Sequence, residues 1–362
     1  MRKHPGTRPD TYEGGSDLSH VTPLPLHHVQ YRVGRFARTG WTNTEIANNP
    51  ELETITLAEW VEEWLPSMRT QLKPSTWRSY RRNLEIHALP AIGHLLLSEI
   101  RPTGLTALYG KLLESGAQRR PGGLSPTTVR YIHAIIRKAL AEAVDAGFLE
   151  RNPAVRAKPP RLRPSVSNQM RSWTAAHLAT FLKATRSHPM ALVWRLTAMT
   201  GMRRGEVLGL RWSDIDLDNA RLSIRQTLIS ISYQVQFSTP KTHQARVVDL
   251  DLKTVDHLSQ NRPDAANEEG LVFVTESGNP HHPDTVSREF RAAVKRAGVP
   301  AIRFHDLRHT HATLSLQAGI PLKVISERLG HRDPAFTLRQ YAHSLPGMQA
   351  KAAKRFAALI DD

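Results

Sequence analysis

The sequence predicts a mainly α-helical protein of two domains, with a small antiparallel β-sheet confined to the second. Apolar residues recur at helical spacing along most of the chain from Thr56 onward. That rhythm breaks in RNPAVRAKPPRLRPSVSNQ, rich in Pro and Arg, which reads as an extended basic linker. Short β-rich runs then cluster between Arg221 and Leu250. At 362 residues the chain is also too long for one ordinary core. The boundaries that follow are an N-terminal segment 1–51, a helical domain 52–160, a basic linker 161–171 and a second domain 172–362 that ends in a helix.

Residues 1–51 are rich in Pro, Gly, His and Arg and read as mostly flexible, with a short helix near WTNTEIANN. Thr56 with Glu59 forms a capping box, and Leu57, Trp60, Val61, Trp64 and Leu65 make an apolar stripe that Pro66 ends or kinks. A second helix opens at Lys73-Pro74-Ser75, and a third, in LSEIRPTGLTALYGKLLES, stops at Gly116. The clearest helix is SPTTVRYIHAIIRKALAEAVDAG, with Val129, Ile132, Ile136, Leu140 and Val144 in register and Gly147 as its stop.

Beyond the linker, SWTAAHLATFLKAT and ALVWRLTAMTG read as helices. RLSIRQT, LISISYQVQF and ARVVDL read as three strands of one sheet. DTVSREFRAAVKRAG, HDLRHTHATLSLQAG, PLKVISERLG and KAAKRFAALI return to helix.

Forty-nine Lys and Arg against 33 Asp and Glu give a formal charge of +16, which points to a polyanionic partner, with nucleic acid foremost. The absence of cysteine excludes disulfides, thiolate metal sites and cysteine nucleophiles. No apolar run reaches membrane-spanning length and the N-terminus lacks a secretory signal, so the expectation is a cytoplasmic protein without a membrane partner.

Four stretches of the second domain gather groups suited to phosphoryl transfer. TGMRRGEVLGLRWSDID places Arg203 where a helix restarts, and TPKTHQARVVDL puts Lys241 in a turn between strands. FHDLRHTHATL sets His305 and Arg308 on one helical face. LGHRDPAFTLRQYAH puts His331 at a helix end and Tyr341 on the next helix. Each motif alone is weak; their joint order is the signal. His305 and His309, at i and i+4, have metal-ligand spacing. Arg308 beside them repels a metal ion and no HExxH pattern is present, so no metal or other cofactor is expected and His309 and His311 read as packing or supporting groups.

In order and type, Arg203, Lys241, His305, Arg308, His331 and Tyr341 resemble the Arg, Lys, His-x-x-Arg, His (or Trp) and Tyr positions of the tyrosine recombinase, or phage integrase, family. The likeness spans roughly residues 165–350; residues 52–160 resemble the family's helical core-binding domain more loosely, through KPSTWRSYRRNLEIHALPAIG. It implies a two-domain clamp on double-stranded DNA at attachment or core sites, with Arg78, Arg82 and the 156–163 cluster as candidate DNA contacts. It also implies a homotetramer on two duplexes, in some members helped by a directionality factor.

The mechanism expected is attack by the Tyr341 phenol on a backbone phosphate, leaving, as the resemblance implies, a 3′-phosphotyrosyl link and a 5′-hydroxyl. That link conserves the phosphodiester energy, so resealing needs no ATP. Arg203 and Arg308 offer planar donor forks to the charged oxygens. His305 and His331 add hydrogen bonds, and His305, with an ordinary pKa near 6.5, suits moving the proton of a phenol whose own is about 10. Lys241 is, by the resemblance, the acid for the departing oxygen, and Glu206 orients Arg203. The role expected is integration or excision of a phage or mobile element. A type IB topoisomerase-like enzyme and a non-enzymatic DNA-binding protein that keeps the fold are the alternatives.

Overall fold

The computed structural model of the chain describes residues 55–118, 121–162, 171–231, 233–239, 245–263, 270–331, 333–341, 353, 356–358 and 360. The N-terminal segment 1–51, its expected short helix and Lys241 lie outside the described residues. The chain divides into two compact units, Met1–Arg163 and Pro164–Asp362.

The first unit is all helix. Its elements are α1 (Leu57–Ser67), α2 (Pro74–Asn83), α3 (Leu89–Ile92), α4 (Pro102–Ser115) and α5 (Pro126–Asp145). The Thr56/Glu59 capping box is present, and Pro66 sits in the last turn of α1 without breaking it. α1 and α5 supply the centre of the core, where Trp60 Nε1 donates to Ala139 O at 2.9 Å. A π-helical turn over Leu84–Ala88 precedes Pro90, whose ring would clash with a regular i→i−4 ladder. Part of the stretch read as an extended linker belongs to this unit. Ala154 and Ala157 are buried in its core, Asn152 Nδ2 donates to Arg137 O, and Lys158 N donates to Thr106 Oγ1.

The second unit places α6 (Ala175–Ala184), α7 (Ala191–Thr200) and α8 (Arg204–Leu208) before its strands. The strands are β1 (Ile215–Asp216), β2 (Arg221–Ile224), β3 (Thr227–Ile231), β4 (Gln234–Ser238) and β5 (Arg246–Asp249). After them come α9 (Leu252–Gln260), α10 (Pro283–Arg296), α11 (Asp306–Gln317), α12 (Leu322–Leu329) and α13 (Pro334–Tyr341). Trp173, Phe181, Trp194, Phe290 and Phe304 form one aromatic core, with neighbouring ring centroids 5.0 to 6.0 Å apart.

The strands differ from the single three-stranded sheet expected. β1-β2-β5 form one antiparallel sheet and β3-β4 a separate hairpin. LISISYQVQF is not one strand: it reverses at Tyr233, whose φ of 63° supplies the turn without the Gly or Asn that ordinarily signals it. Helix α9 had no counterpart in the sequence reading.

Candidate active site

Five of the six expected site residues are described, and they stand on elements that converge at the C-terminal end of α12. Gly201 ends α7 in the left-handed region, φ 69°, and turns the chain so that Arg203 becomes the N-cap of α8. A Cβ at Gly201 would lie 2.7 Å from Leu329 and 2.8 Å from the His311 ring. The turn is therefore pressed directly on α11 and α12.

Arg308, on the first turn of α11, is 3% exposed. Its Nη1 donates to Gly201 O at 2.7 Å, and its Nη2 donates to Leu329 O at 2.6 Å and to His331 Nε2 at 2.9 Å. A guanidinium only donates, so His331 Nε2 is an acceptor and its Nδ1–H donates to Thr337 Oγ1 at 2.7 Å. Burial, with Arg308 and Arg203 nearby, pushes the His331 pKa down to about 3, so the ring is neutral. Burial and Arg203 also lower the pKa of Arg308, to about 9, which leaves it charged at neutral pH.

Arg203 and Arg204 are adjacent in sequence and separate in role. Arg203 Nη1 and backbone N donate to Glu206 at 2.7 and 2.8 Å. Among the described residues, Arg203 Nε and Nη2 donate to no protein group. Arg204 instead grips α10 through Pro283 O and Ser287 Oγ. Glu206 is buried, which raises a carboxyl pKa, but hydrogen bonds and charge from Arg246 and Arg203 prevail and bring it down to about 2.

Tyr341, at the end of α13, is 1% exposed in a small apolar cluster with Ala312, Leu316, Ile325 and Leu329. Its hydroxyl hydrogen-bonds to His309 Nδ1 at 2.8 Å. Burial pushes the phenol up to about 12, against the pull of Arg308, and burial with His305 pushes His309 down to about 4. The proton therefore stays on the phenol, which donates the hydrogen bond to a neutral His309. His309, read from the sequence as a packing or supporting group, is thus the hydrogen-bond partner of Tyr341 in this structure. His305 is exposed at the start of α11, its ring perpendicular to that of His309 at 5.1 Å. Desolvation and Arg308 hold its pKa below the usual imidazole range.

Two guanidiniums, a neutral imidazole and a tyrosine from widely separated stretches of the chain thus meet around one helix end. Residues 168–347 match the Phage integrase family, and residues 56–113 match its N-terminal SAM-like domain. The chain belongs to the phage integrase family.

Within this family, the chain is 26% identical over 340 residues to a "Tyrosine recombinase XerC-like" protein of Caldanaerobacter subterraneus subsp. tengcongensis, covering 84% of each chain. It is 25% identical over 309 residues to the ICEBs1 integrase of Bacillus subtilis, covering 82% of this chain and 81% of that one. The Tn1549 transposon integrase, solved with a circular intermediate DNA, superposes with a TM-score of 0.71 at 18% identity, over 83% of this chain and 100% of that one. A lambda integrase tetramer on a Holliday junction superposes with a TM-score of 0.62 at 19% identity, over 85% and 86%. These likenesses show that both units share the integrase fold. As a tyrosine recombinase, the chain is a DNA strand-cleaving and strand-rejoining enzyme of the phage and mobile-element type.

Arg78 and Arg82, the expected DNA contacts of the first unit, are exposed on α2 with no carboxylate partner among the described residues. Neighbouring Arg81 is paired with Glu85 at 2.6 Å, and Arg69 lies over the Trp77 ring. No described helix is long and apolar enough to cross a membrane.

Proposed function

We propose that Tyr341 is the nucleophile of a site-specific integrase that cleaves and rejoins double-stranded DNA through a 3′-phosphotyrosyl link. Arg203 and Arg308 bind the scissile phosphate, His305 and His331 complete the site, and Lys241 protonates the departing 5′-oxygen. The observation that carries this reading is the charge around Glu206. Arg203 and Arg246 pair with one ionised carboxylate and Arg308 lies nearby, leaving a net charge of about +2 beside donors that no described protein group occupies. A phosphate under attack carries two negative charges on its non-bridging oxygens, and the cluster matches them.

His331 has a defined part in this scheme. Its Nε2 accepts from Arg308, so it holds the guanidinium in place as a neutral group instead of delivering a proton. Tyr341, protonated and buried against His309, is in a resting position. To reach a phosphate the phenol leaves His309, so engagement of DNA and of neighbouring protomers on two duplexes gates cleavage. The tetramer, a directionality factor and action in the cytoplasm belong to the same proposal, and the lambda integrase structures, solved as a dimer and as a tetramer on DNA, support the first of these.

Because protein cations meet the developing charge, cleavage proceeds without a divalent metal and without ATP. The test is a nicked suicide substrate carrying the element's attachment site, incubated in EDTA with wild type and Tyr341→Phe. A covalent protein–DNA band that requires Tyr341 is expected. DNA binding with no band, or a band that survives Tyr341→Phe, refutes the assignment.

A further inference from the structure

We propose that Arg246, on β5, is a positioning residue of the phosphate site: it takes up the charge of Glu206 so that Arg203 keeps donors free for DNA. This deepens the reading above and rests on it. Arg246 meets Glu206 fork to fork, Nη1 to Oε1 at 3.1 Å and Nη2 to Oε2 at 2.7 Å. Its side chain is 9% exposed and that of Glu206 is 1% exposed, so water screens neither. Arg203 reaches the same carboxylate with one guanidinium nitrogen and its backbone N–H.

Without Arg246 the buried carboxylate has one remaining cationic partner among the described residues, Arg203. Arg203 then folds onto it with its whole guanidinium fork. The donors and the charge meant for phosphate are thereby lost. Arg246 prevents this by satisfying Glu206 from the opposite side.

A second set of contacts ties the same residue to the other guanidinium. Arg246 Nε donates to Arg328 O at 2.9 Å, one carbonyl before the Leu329 O that accepts from Arg308 at 2.6 Å. Arg246 and Arg308 thus cap the last turn of α12 side by side, immediately ahead of His331. Gly330, φ 65°, leaves room for this: a Cβ there would lie 2.9 Å from Arg246 Nη1 and 3.0 Å from its Cδ. One side chain on β5 therefore fixes the strand that follows Lys241, the N-cap of α8 and the helix end that holds Arg308 and His331.

The experiment is single-turnover formation of the covalent complex on the suicide substrate, with DNA affinity measured in parallel. Arg246→Met is expected to lower the cleavage rate about a hundredfold while DNA affinity changes little. Arg246→Lys, which keeps the charge and loses the fork, is expected to fall between Met and wild type. The decisive variant is Arg246→Met combined with Glu206→Gln. Removing the carboxylate's charge is expected to restore at least about tenfold of the lost rate, because Arg203 is no longer captured. Full activity in Arg246→Met and Arg246→Lys overturns the proposal, as does a double variant no faster than Arg246→Met. If Arg246→Met does not fold, the Lys variant and the double variant decide. Absence of a covalent band from wild type would instead count against the Tyr341 assignment.

Discussion

Tyr341 Oη and His309 Nδ1 lie 2.8 Å apart in a buried cluster, and each is the other's hydrogen-bond partner. The pair explains how the proposed nucleophile can be folded into the core without an orphaned hydroxyl. Tyr341→Phe should abolish the covalent complex and also strand the His309 acceptor, costing roughly 1–3 kcal/mol of stability. His309→Phe strands the phenol at similar cost, so the double variant should lose less than the sum of the two. Urea denaturation of the three variants measures this; strict additivity would mean that the pair is not coupled.

Arg203 and Arg204 make a sharper contrast. Arg203→Ala should eliminate detectable cleavage, since that side chain keeps beside Arg308 two nitrogens that donate to no described group. Arg204→Ala should retain cleavage and lose roughly 0.5–1.5 kcal/mol, the worth of its bonds to Pro283 O and Ser287 Oγ. Cleavage that survives in the Arg203 variant and fails in the Arg204 variant would reverse the assignment.

Sequence periodicity carried the helices because their buried stripes are regular. Val129, Ile132, Ile136 and Leu140 of α5 are all fully buried, as their spacing predicts. The β3-β4 reversal was not legible, since Tyr233 adopts a positive φ with no turn residue to announce it. The site divides in the same way. Arg203, His305, Arg308, His331 and Tyr341 stood out through their joint order, while Arg246 and His309 did not. An arginine opening a short strand is ordinarily a solvated edge group, and a histidine next to Arg308 on a helix ordinarily packs. Only the placement of Glu206 and Tyr341 in space gives those two residues their partners.

The buried histidines make stability depend on pH. Burial above all, with nearby cations, lowers the pKa of His331 to about 3 and of His309 and His311 to about 4. In the unfolded chain each titrates near about 6.5, so below that value the unfolded state binds more protons than the folded one. The stability these rings contribute is complete above about pH 6.5 and declines as pH falls towards their folded values. Glu206, held near 2, contributes its loss only below about pH 4.5. Urea midpoints should therefore fall between pH 7 and pH 5, and more gently in His311→Leu. A midpoint independent of pH over that window would contradict the neutral, buried state of these rings.

Gly201 offers a test of how tightly the arginine turn is held. Its φ of 69° is costly for any residue with a Cβ, and the space where a Cβ would go is filled by Leu329 and the His311 ring. His311 has little freedom to retreat, because its Nδ1–H is donated to Ala198 O. Gly201 O is itself the acceptor for Arg308 Nη1, so a shift of this turn moves both guanidiniums at once. Gly201→Ala should lower stability by roughly 1–3 kcal/mol. It should also slow covalent-complex formation by more than the folded fraction accounts for, at unchanged DNA affinity. A variant that is less stable yet cleaves at the wild-type rate per folded molecule would show that the turn supports the fold without setting the geometry of the arginine pair.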